Sequence, residues 1–429
     1  MAASESVPEP HAGFTADITR TRLPASFTTV LIGESFSLFG TQISSVMIPL
    51  IVAITLSAGE ITLGVVSAVG WLPIILIGLI AGAIVDRHSR WAMMVVCNIT
   101  RAGLIGLIPI LALTQNLTVT VLVVISFCMG VCNVFFDIAY QTYVPDIVPP
   151  NMLDRANNRF ELIRSMAQLI GPLMGGFLAA HYRPEYLITL DAVTFLIAFI
   201  VLLLLPGRFR VPSAISQRSS LNTPSIISDM LAGLKLVWRT PVIRLVVLSG
   251  AFINIFEAGI SALFVLYVTR TLGLDSSAYS IAIAVAGIGA LCGALSYRIW
   301  SEKVQEGACV GIGVAWMAVG SILTAAAIFP GWSWICLLSG QFCIGYGSPI
   351  MNIALVTLRQ KITPAEALGR VNASARVCIM SSLPIGALMI SSLAEAVSIS
   401  TALWVAGLGE LVVLIILGPQ LLRIRIQES

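Results

Sequence analysis

Twelve separate stretches of about twenty mostly apolar residues run through this chain, and a stretch of that length has few ways to fold. At 1.5 Å per residue a helix of about 20 residues spans the hydrocarbon core of a bilayer. The stretches fall near 28–54, 61–85, 92–113, 118–142, 158–180, 186–206, 242–269, 277–299, 307–329, 333–357, 369–393 and 398–420. The polar remainder is too small to cover a water-soluble surface. Only 10% of the 429 residues are charged, where a soluble domain carries about 25%. Eight cysteines are sparse for a secreted disulfide scaffold, and Cys128, Cys132, Cys292 and Cys343 sit in apolar runs. They read as small buried hydrophobes. A net charge of +3 offers no basic face for nucleic acid. The chain is an all-α integral membrane protein.

The placement of lysine and arginine sets the expected orientation, because basic residues stay on the cytoplasmic side. With the N-terminus inside, all but Arg183 and Arg270 of the 24 Lys and Arg fall at cytoplasmic ends. Both termini are therefore expected in the cytoplasm of a multi-pass cell-membrane protein. Residues 1–26 are polar, with Pro8, Pro10, Glu5, Glu9 and Asp17 and no apolar signal core, so they read as a disordered cytoplasmic tail. Residues 207–241 hold Pro212, Ser213, Ser216, Ser219, Ser220 and Pro224 and read as a cytoplasmic linker. That divides the chain into bundles 27–206 and 242–422, with a short cytoplasmic tail at 423–429.

The two halves repeat each other. A shift of 215 lays Phe127, Cys128 and Gly130 on Phe342, Cys343 and Gly345, Pro149 on Pro364, and Leu153, Arg155 and Asn157 on Leu368, Arg370 and Asn372. The same register carries Ile170-Gly171 onto Ile385-Gly386 and Leu173-Met174 onto Leu388-Met389. A shift of 217 lays Gly33, Phe39, Ile43 and Ser44 on Gly250, Phe256, Ile260 and Ser261. Duplicated six-helix halves suit a rocking transporter with its substrate site between them, near the midplane.

Three motifs refine this. The turn after the second span reads Gly82-Ala-Ile-Val-Asp86-Arg87-His-Ser-Arg90, which resembles the cytoplasmic loop signature of the major facilitator superfamily, with Ser89 in place of the second Gly. Glycine lets helices approach, and an acid beside two arginines can lock a gate through charge-assisted bonds. The resemblance implies that Asp86 engages the start of span 11, where Arg370 and Arg376 are the nearby cations. In span 5, Gly171-Pro172-Leu-Met-Gly175-Gly176 resembles the core of that superfamily's antiporter signature, found in exporters. Proline removes a backbone donor and bends the helix, and the glycines leave a flat face for a partner. The run Phe136-Asp137 to Tyr140-Gln141, Pro145 and Pro149, followed by Leu153, Arg155 and Asn157, resembles the branch of enterobactin-type siderophore exporters and macrolide-efflux proteins. The implied fold is twelve transmembrane helices in two pseudo-symmetric six-helix bundles.

Ionisable groups inside spans are expensive, roughly 2.5–3.5 kcal/mol each at the centre on insertion scales, and mark function by default. Here they are Glu34, Asp137, Asp191, Glu257 and Glu410, with Arg101 the deepest cation. In the superfamily spans 1, 4, 7 and 10 line the cavity, which implies cavity positions for Glu34, Asp137 and Glu257. Glu257 is deepest, about 15 residues into its span or on the order of 22 Å, and is the leading candidate for proton coupling, followed by Glu34 and Asp137. Glu34 lies close enough to the helix start to reach cytoplasmic water. Asp137 is expected to pair with Arg101, and Asp191 and Glu410, on outer helices, to be structural. Phe36, Phe39, Gln42, Tyr140, Phe252, Phe256 and Tyr346 are candidates for substrate contact, the aromatics by stacking. All three histidines (His11, His88 and His181) lie outside the spans, so no buried metal site is expected.

The expected function is secondary active export, by alternating access and driven by proton influx, of an amphipathic drug or natural product such as a macrolide or siderophore. The alternatives are an importer or facilitator of a small metabolite and, from a different class, a non-transporting membrane scaffold. A membrane enzyme would need a clustered nucleophile, histidine or metal ligand set, and none is visible. No phosphate-binding glycine loop occurs, so the proton gradient is the expected energy source, with no cofactor. The expected partners are the substrate and the lipid bilayer, with the monomer as the working unit.

Overall fold

The computed structural model describes residues 23–149, 152–179, 181–206, 234–363 and 368–422, and among these there is helix and turn but no strand. The helices are α1 (Ala25–Leu50), α2 (Glu60–Arg87), α3 (Arg90–Leu113), α4 (Val119–Ile147), α5 (Leu153–Ala179), α6 (Thr189–Leu203), α7 (Pro241–Leu266), α8 (Ser276–Ser301), α9 (Glu306–Ala326), α10 (Ser333–Ile362), α11 (Leu368–Ala396) and α12 (Ile399–Leu422). Each contains a stretch long and apolar enough to cross a bilayer, α6 together with the helical turn Pro184–Leu187 that precedes it. Helix is the only open-ended element that satisfies its own backbone in lipid. Side-chain caps close some starts: Ser89 Oγ accepts from the Ala92 amide, Thr118 Oγ1 from Val121 and Asp275 Oδ1 from Ala278. Prolines lie inside several helices, among them Pro49, Pro73, Pro172, Pro349 and Pro384.

Helices α1–α6 pack among themselves, as do α7–α12, and the halves meet along two seams, α2 against α11 and α5 against α8. The repeat is visible in backbone detail. Both α1 and α7 run into a five-residue π-helical turn, Ile51–Thr55 and Tyr267–Thr271, 216 residues apart. Large apolar side chains such as Leu113, Phe177, Leu204 and Leu295 stand exposed around the outside, the face that lipid covers.

The end of the molecule at which residues 206 and 234 lie is here the linker end, and its opposite the far end. One apolar core joins both halves at the far end, running from Ile43–Ala53 of the first half to Ile260–Val268 and Ile390 of the second. At the linker end the cores are separate, one around Phe27, Phe136 and Tyr143 and others around Val246 and Val371. Hydrogen bonds across the halves also lie at the far end. Arg270 Nη2 donates to the Ala53 and Ala58 carbonyls at 3.0 and 2.9 Å, and the Ile61 amide donates to Glu395 Oε2 at 3.3 Å. The molecule is thus sealed at the far end.

Candidate functional site: a cavity between the halves

Above that seal lies a cavity of about 800 Å³. Its floor is a three-way contact of Ala68 (α2), Ala262 (α7) and Ala387 (α11). Methyl-sized side chains let three backbones from two halves close together. One turn nearer the linker end on the same helices stand Trp71, Ala258 with Glu257, and Leu383, all on the cavity wall. Helix α4 contributes a stripe at i, i+4 spacing, with Asn133, Asp137 and Gln141 exposed to the cavity. Helix α1 adds Thr41, Ser44 and Ser45, α3 adds Ile105 and Ile108, and α11 adds Arg376. The wall is largely apolar, with a few acids set into it.

Each acid has a different environment. Asp137 opens into the cavity, with Arg101, Arg376 and Arg164 as its cationic neighbours. Arg101 does not reach it as an ion pair. Its Nη2 donates to the Cys132 carbonyl at 3.1 Å, and its guanidinium lies 4.2 Å over the Phe136 ring. Glu34 is 5% exposed, behind the wall, within electrostatic reach of Arg101 and Asp137. It does not reach water, because its side chain turns inward toward α3 and α4. Asp191, expected to be purely structural, borders the cavity and accepts from Ser44 Oγ at 2.5 Å and Thr194 Oγ1 at 3.2 Å. Glycine makes this possible: a Cβ on Gly40 would run into the Asp191 carboxylate and the Thr194 hydroxyl. Glu257 stands on the wall with a buried Oε2 that has no hydrogen-bond partner. Within its electrostatic reach lies Glu410 of α12, fully buried, whose Oε2 accepts from Ser321 Oγ at 2.8 Å while Oε1 bonds nothing.

The expected aromatic contacts are placed elsewhere, and helix α10 gives no side chain to this wall. Phe36 and Phe252 are exposed away from the cavity, and Phe39 is half-buried off its wall. Gln42 lies against Gly171 of α5, and the tip of the Phe256 ring lies against Gly409 of α12. Tyr140 is buried between Phe136 and Phe160, and the Tyr346 hydroxyl accepts from Ser296 and Trp300 of α8. Helical facing, decided by neighbours, separates them from the site. Sequence reasoning missed Trp71, Asn133 and Gln141. The spacing of Asn133, Asp137 and Gln141 was the available signal for α4; Trp71 had none.

The loop motif divides. The side chains of Asp86 and Arg370 lie outside the described residues. Among the described residues nothing lies within 4 Å of a Cβ added at Gly82, and Arg87 is exposed. Arg90 works inside the first half, its Nη1 donating to Asp146 Oδ2 at 2.6 Å and the Thr142 carbonyl at 3.1 Å. Arg376 turns to the cavity. In α5, a Cβ on Gly171 would meet Gln42, and one on Gly176 would meet Ser280 of α8 across the seam. A Cβ on Gly175 would make only ordinary contact, 3.4 Å from Met47 Cε. Pro172 lies within α5 between these close approaches.

Twelve spans in two repeated bundles around a central cavity define a multi-pass membrane transporter and not an enzyme. A family model described as transmembrane secretion effector matches residues 23–429, and the chain belongs to that family of the major facilitator superfamily. It is similar to the multidrug efflux pump Tap of Mycolicibacterium fortuitum, 26% identical over 77% of this chain and 80% of that protein. It is 22% identical to macrolide efflux protein A of Streptococcus pyogenes over 93% and 96% of the two chains. With the enterobactin exporter EntS of Salmonella typhimurium it shares 26% identity over 93% and 92%. Among solved structures, the nucleoside transporter NupG superposes with a TM-score of 0.74 at 13% identity, over 94% of this chain and all of that one. A bacterial homologue of the iron transporter ferroportin in its inward-facing state gives 0.70 at 16%, over 93% and 99%. The family and these relatives make the chain an efflux transporter of the major facilitator type.

Proposed function

We propose that this protein is a proton-driven exporter of an amphipathic drug or natural product, working by alternating access with both termini in the cytoplasm. In that orientation the conformation described is inward-facing, with the far-end seal on the outer side and the cavity open to load substrate. The observation that carries the reading is Glu257, an acid on the cavity wall with an oxygen that bonds nothing. Such a carboxyl can exchange a proton with whatever solvent the cavity meets, which is the inside in one state and the outside in the other. Binding a proton outside and releasing it inside, while substrate moves the other way, couples efflux to the gradient. Asp137 and Glu34, both within electrostatic reach of Arg101, form a second acidic locus in the first half.

The test is Glu257→Gln in inverted membrane vesicles. Glutamine keeps the volume and some hydrogen bonding but cannot cycle between charged and neutral forms. Uphill efflux driven by an imposed pH gradient should collapse with the protein inserted at normal levels. Uphill efflux at the wild-type rate would show that Glu257 carries no coupling proton.

A further inference from the structure

We propose that the cavity selects lipophilic cations, with Glu257, backed by Glu410, as the counter-charge and Trp71 as the aromatic wall at the same depth. This rests on the reading of the cavity as the transport site and goes on to say which charge its substrate bears.

The charges around the cavity are unevenly balanced. Among the described residues, Asp137, Asp191 and Glu257 border it against a single guanidinium, Arg376. Arg376 is already the near neighbour of Asp137, which Arg101 and Arg164 also face. Asp191 takes hydrogen bonds from Ser44 and Thr194. Glu257 has none of this. Among the described residues no cation is ion-paired with it: of the helices packed on α7, α11 carries Arg376, which lies beside Asp137, and α12 carries none; α9 offers the Ser321 hydroxyl, and that is used by Glu410. Glu410 adds a second buried acid within electrostatic reach, with its own unpartnered oxygen. A half-buried carboxyl on the wall with one buried, unpartnered oxygen, backed by a second and fully buried acid, is a place that a charge brought in can neutralise. A proton does so when the site is empty. An ammonium or other organic cation does so when it is loaded, which makes proton and substrate alternatives at one carboxyl.

The surroundings fit the rest of such a ligand. Trp71 is 47% exposed, faces the cavity and stands one turn above the alanine floor, as Glu257 does on the opposite half. Tryptophan is the best aromatic partner for a cation. Around it Ile74, Met129 and Leu383 present apolar surface for the body of the molecule. An anionic chelator would instead place its charge against three wall acids, with Arg376, already beside Asp137, as the guanidinium on the wall among the described residues, and like charges brought together cost several kcal/mol.

The probes are tetraphenylphosphonium and tetraphenylborate, of nearly equal shape and opposite charge. Binding to the purified full-length protein is measured in detergent at about pH 8 by equilibrium dialysis, corrected with protein-free micelles. The wild-type protein should bind the phosphonium at least about tenfold more tightly, a difference of about 1.4 kcal/mol. Glu257→Gln should abolish the preference, and Trp71→Ala should weaken the phosphonium while leaving the protein monodisperse. Equal or tighter binding of the borate by the wild type would overturn the proposal without any variant being needed. So would a tenfold preference that survives Glu257→Gln. No gradient enters this assay. Charge preference without pH-driven efflux would therefore sink the coupling reading alone, and pH-driven efflux without charge preference would sink this one alone.

Discussion

The glycines of α5 allow a sharp separation between conformational equilibrium and folding. A Cβ added at Gly176 would overlap Ser280 Cβ and Oγ and lie 3.2 Å from Ser280 Cα. The obstacle is next to the α8 backbone, so no flexible side chain can swing away. Overpacking of this kind costs about 1–3 kcal/mol. Gly176 and Ser280 belong to different halves, and they meet in the state sealed at the far end. The penalty in Gly176→Ala therefore falls on that state, and at tenfold per 1.4 kcal/mol it shifts the balance toward far-end opening by about 5- to 150-fold. The reporter is Ser45→Cys on the cavity wall, in a chain whose exposed Cys292 is replaced, labelled with a membrane-impermeant maleimide from either side of oriented vesicles. Labelling from the far side should accelerate within that range, and from the linker side it should slow. Gly175→Ala is the control, since its new methyl would make ordinary contact with Met47 and Val46 of the same half. Wild-type labelling in Gly176→Ala, or an equal response in Gly175→Ala, would refute the reasoning.

The same reporter tests the latch at the far end. Arg270→Ala removes two hydrogen bonds to the Ala53 and Ala58 carbonyls; because Arg270 is exposed, their joint worth is discounted to about 1 kcal/mol. Far-side labelling should rise about fivefold, and an unchanged rate would remove Arg270 from the gate. Tyr267→Phe strips the donor from a fully buried hydroxyl bonded to the Ala325 carbonyl at 2.8 Å. The stranded carbonyl should destabilise the second half by about 1–3 kcal/mol, seen as a lower melting temperature in detergent; an unchanged Tm would mean another donor replaces it. Gly171→Ala, which meets Gln42 within one half, should lower Tm as well but leave the two-sided labelling ratio unaltered. A shifted ratio would place that contact in the conformational change.

How much of this was legible in the residues follows from which forces are local. The twelve spans were readable because bilayer thickness and backbone satisfaction act on each segment by itself, and an apolar run of that length has one stable answer. The duplication was readable from register alone, and it returns in the paired π-helical turns after α1 and α7. Glu257 was reachable as a wall residue because an acid deep in a span has to find a cavity or a partner. The facing of each helix was not readable, since in lipid a helix can be apolar all round and the pattern carries no strong direction. Phe36 and Phe252 on the two inner helices looked equivalent to wall residues until packing turned them away. Tyr346 looked like a cavity aromatic until Ser296 and Trp300 took its hydroxyl. Asp191 reached the wall only because Gly40, on another helix, leaves room for its carboxylate. Composition and repeat determined the spans and the two halves. Tertiary packing decided which side chains share the space between those halves, because that depends on approaches made possible by glycines and alanines far apart in the chain.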